Sequence, residues 1–117
     1  MKQDLHYDMK VRIMGEEKAF GPGVAQLLKG IEEMGSMQKA AEKMGLSYSK
    51  AWKMMKTAEQ ELGFALTERS SGGKDGGGSV VTAEGREMMQ RYGNFLSALQ
   101  TEADRLFAFY FQREGEK

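Results

Sequence analysis

The chain has no cysteine, and it spends only one histidine, one proline and one tryptophan in 117 residues. Its 17 basic and 17 acidic side chains cancel to no net charge. Without thiols there is no disulfide, thiolate nucleophile or cysteine-ligated metal centre, a composition that fits a reducing compartment. The lone His6 stands in the charged opening stretch "MKQDLHYDMK", where it reads as a solvated side chain. That stretch lacks the apolar core of a secretory signal, and no apolar run approaches the ~20 residues that span a bilayer. No paired carboxylates, metal cluster or nucleophile–base pair stands out, so neither an enzyme, a metal site nor a cofactor is expected. These absences predict a cytoplasmic protein with no membrane association. The length suits one domain, 1–117.

What is present is 40% apolar and 29% charged residues, with ten methionines. Most methionines fall at helical spacing beside other apolar residues, where an unbranched thioether fills core gaps. Residues 7–14, "YDMKVRIM", alternate, with Tyr7, Met9, Val11 and Ile13 on one side, which predicts a strand. "GEEK" turns the chain, and Ala19 and Phe20 form the return strand of a small hairpin. Gly21 and Pro22 open a helix carrying Val24, Leu27, Leu28, Ile31 and Met34, closed by Gly35. Ser36 caps a short second helix with Met37, Ala40, Ala41 and Met44 inward, and Gly45 closes it. Leu46 enters the core, and Ser47 caps a third helix with Ala51, Met55, Ala58 and Leu62 at 4-3-4 spacing. Two helices joined by a short glycine turn make a helix-turn-helix.

After Gly63, "FALTERS", "SGGKDGGGS" and "VVT" predict a strand, a glycine-rich tip and a second strand. The tip is no P-loop, because Glu68 takes the first glycine position and Asp75 follows Lys74. Thr82 caps a long last helix, 84–112, about 45 Å at 1.5 Å per residue. Met88, Tyr92, Phe95, Leu99, Leu106 and Tyr110 form one seam on it, with Met89, Leu96, Ala103 and Phe107 beside. That arc is too wide for one partner, so Tyr92, Phe95, Leu99, Leu106 and Tyr110 are expected at a homodimer interface.

The charge that sums to zero is unevenly placed. From Ser47 to Thr57 there are three lysines and no acid, the acids resuming at Glu59 and Glu61. Opposite the apolar stripe lie Ser49, Lys50, Lys53, Lys56 and Thr57, with Tyr48 in the first turn. A local positive field on an exposed helix meets phosphate whatever the net charge. On charge alone this is equally a solvated face; the preceding capped helix, the glycine turn and the following hairpin make it a winged helix-turn-helix. Ser47, Tyr48, Ser49, Lys50, Lys53 and Met54 are then candidates for the base edges of double-stranded DNA, Met54 through a thymine methyl. Lys56, Thr57, Arg69 and Lys74 are candidates for phosphates. Trp52, beside the inner stripe, is expected to pack under the helix and wing.

"GSMQKAAEKMGLSYSKAWKMMKTAEQELG" and "LTERSSGGKDGGGSVVTAEG" resemble the N-terminal DNA-binding domain of the molybdate-responsive ModE regulators and, more distantly, the LysR-type winged helix-turn-helix. With the N-terminal hairpin and the last helix, the resemblance spans nearly the whole chain. It implies a third helix in the major groove, a wing on the backbone or minor groove, and a dimer built by the first and last helices. Full-length members add a pair of small β-barrel oxyanion domains, whereas this sequence stops after "FQREGEK", so no molybdate site is expected in it. The expected fold is mostly α with small β-hairpins, and the expected function is a homodimeric regulator of transcription on an inverted-repeat site. The competing expectation is a protein-interaction module of the same fold that docks through "FAFYF", residues 107–111, and leaves the lysine cluster without a purpose.

Overall fold

The computed structural model describes residues 4–70 and 78–112. The order of elements is β1 (Ile13–Met14), β2 (Lys18–Phe20), α1 (Pro22–Met34), α2 (Met37–Lys43), α3 (Tyr48–Leu62), β3 (Thr67–Ser70), β4 (Gly78–Val81) and α4 (Ala83–Phe111). Both hairpins, β1–β2 and β3–β4, are antiparallel, and they belong to separate sheets. No helix is long and apolar enough to cross a membrane among the described residues.

The helix ends are where local chemistry puts them. Ser36 Oγ accepts the N–H of Lys39 at 3.1 Å, Ser47 Oγ that of Lys50 at 3.1 Å, and Thr82 Oγ1 that of Gly85 at 2.9 Å. Each bond satisfies one of the donors a helix start leaves over, worth about 1 kcal/mol. Between α2 and α3 the chain turns through Gly45 at φ 75°, a left-handed conformation that a side chain resists. The N–H of Leu46 returns to the carbonyl of Ala41 at 2.9 Å, which fixes the angle of the helix-turn-helix.

The core lies among α1, α2 and α3. Phe20, Val24, Leu27, Leu28, Ile31, Met55 and Leu66 are its largest fully buried side chains, each worth roughly 1.5–3 kcal/mol of transfer free energy. Phe20 carries β2 into this core, and Leu66 carries the approach to β3. Gly85, in the first turn of α4, lies so close to the wing that a Cβ there would stand 2.5 Å from the Leu66 carbonyl oxygen.

Three expectations are corrected. The alternating stretch 7–14 is strand only at Ile13–Met14, with a bulge between those two residues. Residues 5–12 have no regular secondary structure and lie against α4: Tyr7 Oη donates to Asp104, Gln100 Nε2 donates to Tyr7 Oη at 2.6 Å, and the Tyr7 and Phe107 rings meet at a tilt with centroids 5.3 Å apart. The alternation served an extended strap on a helix, because β2 is too short to pair beyond Ile13. In the wing, only Thr67–Ser70 of "FALTERS" is strand, since Phe64 to Leu66 is occupied in reaching the core. Tyr92 is not on an open seam. It is 5% exposed, meets Phe20 edge-on at 5.1 Å, and donates its hydroxyl to the Val11 carbonyl at 2.7 Å. Burial raises its pKa above the ordinary tyrosine value.

Candidate nucleic-acid interface

The outer surface of α3 has two shoulders. With Ala51, Met55 and Ala58 buried, the 3.6-residue period turns Tyr48, Trp52 and Lys56 toward the wing and Lys50, Met54 and Thr57 toward the N-terminal hairpin. Ser49 and Lys53 stand between them, exposed. Tyr48, Trp52 and Lys56 share an open cleft with Arg69 of β3, Ser79 of β4 and the start of α2. Lys50, Lys53, Met54 and Thr57 share a second recess with Glu17, Lys18 and Val24.

Two carboxylates hold the flanking hairpins in place. Glu59 Oε2 accepts the N–H of Leu66 at 2.8 Å and of Thr67 at 3.3 Å, while its Oε1 pairs with Lys56 Nζ at 3.2 Å. Glu61 Oε1 accepts the N–H of Glu16 at 2.9 Å, in the turn between β1 and β2. The acids that end the lysine run are therefore brackets, one for each hairpin. The wing is tied twice more: the N–H of Ser79 reaches the Gly35 carbonyl at 2.9 Å, and Thr82 Oγ1 donates to the Ala65 carbonyl at 2.7 Å.

Most of the expected site residues come together on this face. Tyr48, Ser49, Lys50 and Lys53 are exposed in the first half of α3, and neither Lys50 nor Lys53 has an ion-pair partner among the described residues. Ser47 is exposed too, but its oxygen is engaged as the cap of α3. Lys56 is held by Glu59 and lies 5.6 Å from the centre of the Trp52 ring, so its charge is shared with protein groups. Arg69 is exposed on β3 opposite Ser79, and Lys74 falls outside the described residues. Met54 is not freely exposed: it is partly buried, with its Cε 3.1 Å from where a Cβ on Gly23 would be. Thr57 is partly buried beside it. Trp52 reverses expectation in the other direction, at 48% exposed on the cleft wall. Its place was legible only as one step from the inner stripe. In the sequence Glu59 and Glu61 mark only the end of a charge run, because a side chain reaching a distant backbone N–H leaves no periodic trace.

A helix-turn-helix with a cation-bearing, acid-free half on its second helix and a hairpin on each side is the framework of a winged-helix regulatory protein. The profile of the bacterial regulatory helix-turn-helix proteins of the lysR family matches residues 25–86, and the chain belongs to that family. It is similar to the DNA-binding transcriptional dual regulator ModE of Escherichia coli (strain K12), 37% identical over 89 residues, covering 75% of this chain and 34% of that protein. It is similar also to the molybdenum transport protein ModE of Azotobacter vinelandii, 36% identical over 81 residues, covering 69% of this chain and 30% of that protein. The chain thus spans about a third of the length of the curated relatives it matches. Among solved structures, a CbnR_DBD–DNA complex matches with a TM-score of 0.56 and 26% identity over 73% of this chain and 92% of that one.

Proposed function

We propose that the chain is a DNA-binding regulator of transcription that acts in the cytoplasm as a homodimer on an inverted-repeat site. The observation that carries this reading is the outer half of α3, where Lys50 and Lys53 stand without ion pairs among the described residues beside Tyr48 and Ser49. On this reading α3 enters the major groove, with Tyr48, Ser49, Lys50 and Lys53 at base edges and Lys56, Thr57 and Arg69 on phosphates. The same framework in a protein crystallised with DNA supports it. Single-domain organisation over 1–117 and a non-enzymatic role belong to the same proposal.

The dimer is proposed to form through the part of α4 that its own chain leaves uncovered. Phe95, Leu106 and Tyr110 are 48%, 44% and 65% exposed, and Leu99 lies between them, partly buried; Tyr92 is spent on its own core. Apolar residues recurring along one exposed side of a 29-residue helix suit a second copy of that helix. Two-fold symmetry then sets half-sites about one or more helical turns apart.

Selection of bound duplexes from a random library at near-physiological salt tests the whole reading. Recovery of an inverted repeat is expected. Recovery of no duplex by folded protein would overturn DNA binding, and recovery of an unrepeated half-site, with a monomer in sedimentation, would overturn the dimer.

A further inference from the structure

The hairpin β1–β2 lies along α3 on the side away from the wing, and it brings its own cations. Lys18, in β2, lines the recess that also holds Lys50, Lys53 and Thr57. Arg12, next to β1, lies beside Lys18: a Cβ on Gly21 would stand 3.2 Å from Arg12 Cγ and 3.7 Å from Lys18 Cδ. The stems of both side chains therefore cross one bare stretch of backbone. Neither Arg12 nor Lys18 has an ion-pair partner among the described residues.

The acids nearby are Glu16, Glu17 and Glu61. Glu61 faces the turn and accepts the Glu16 N–H, and Glu17 lines the recess itself. Lys18, Lys50 and Lys53 outnumber Glu17 there, and Arg12, whose stem passes beside that of Lys18, adds a further positive charge on the same hairpin. The platform is also fixed in place, by Phe20 in the core and by Tyr92 on the Val11 carbonyl. Cations on a docked hairpin lose little freedom when they meet a ligand, and a row of them beside a groove-reading helix suits a row of phosphates.

We propose that the N-terminal hairpin is a second phosphate-binding element, in which Arg12 and Lys18 grip the DNA backbone on the flank of the major-groove contact opposite the wing. This rests on the DNA-binding reading of α3. It makes α3 a reading element with a backbone clamp on each side.

The test compares the full chain with its Arg12→Ala/Lys18→Ala variant on the selected duplex and on a scrambled one, across a range of salt. The variant is expected to lose roughly tenfold in affinity for both duplexes alike. Its salt slope should fall by about 0.9 for each phosphate contact removed. Lys18→Gln, which keeps most of the aliphatic stem, should show the same direction, and Glu17→Gln should strengthen binding about twofold by removing the opposing charge. A folded Arg12→Ala/Lys18→Ala variant with unchanged affinity and slope would overturn the clamp and leave α3 as the reader. A loss confined to the selected duplex would overturn the assignment to phosphate. Wild-type protein that binds neither duplex would overturn the reading of α3 and the clamp with it.

Discussion

The two hairpins stand on opposite sides of α3 and are held with different shares of polar bonding and burial. The wing has four paired positions, Thr67 with Val81 through Ser70 with Gly78. Besides the burial of Leu66 before β3 and Val81 in β4, it is secured by polar bonds, Glu59 on two N–H groups and Gly35 on Ser79, with Thr82 on Ala65 closing its base. The N-terminal hairpin has two paired positions and a bulge, and it is secured by burial, Phe20 being wholly enclosed with Tyr92 against its edge. A short hairpin with a large apolar anchor and a longer one with many bonds reach the same end, a rigid flank beside the helix. The difference tells which residue each flank cannot lose.

The sharpest way to break the comparison is at Tyr92. Tyr92→Ala removes the ring on Phe20 and the bond to Val11 together, and unfolding in denaturant should show a loss of about 3–5 kcal/mol. Tyr92→Phe keeps the ring, and its cost should be near 1 kcal/mol. Next is Glu59→Ala, which leaves the part-buried N–H groups of Leu66 and Thr67 without their acceptor; about 1–3 kcal/mol is expected, with faster amide exchange in β3. Glu61→Ala is the matched change on the other flank. The Glu16 N–H is exposed and passes to water, so its cost should stay below about 1 kcal/mol. Equal losses at Glu59 and Glu61 would contradict that difference in polar bonding.

The smallest effect concerns the strap 5–12. The Asp104 carboxyl is held below its ordinary value by the Tyr7 hydroxyl and then the Gln100 amide, and Tyr7 is raised above its own chiefly by the bond to Asp104. With the carboxyl lowered in the folded state, this contact is fully in force above the ordinary carboxylate value of about 4 and is lost as the pH falls through the lowered one. With the phenol raised, it is lost again as the pH rises through Tyr7's raised value. Ring-proton shifts of Tyr7 and Phe107 should therefore change together in acid, before the core unfolds, and Asp104→Asn should abolish that step.

Much of this arrangement was legible because it is local. Ser36, Ser47 and Thr82 each bond an N–H three residues on, so the serine or threonine before an apolar stripe announces the helix. Gly35, Gly45 and Gly63 adopt the positive φ their positions suggested. What was hidden depends on distant neighbours. An extended strap on a helix and a paired strand share one alternation, so 7–14 could not be told apart by period. The broad apolar arc of α4 did not say which side meets its own chain, and only Phe20 and Val11 pick out Tyr92. Trp52 sits one residue from the stripe, where whether the ring is buried or exposed is decided by how far away the wing stands.

The most direct measurement of the central claim is the affinity of Lys50→Ala/Lys53→Ala for the selected duplex at near-physiological salt, beside wild type of equal thermal stability. Two contacts worth about 1–3 kcal/mol each predict a loss of at least about thirtyfold, larger on the selected duplex than on a scrambled one. Unchanged affinity on both would contradict the account of α3 as the element that reads DNA.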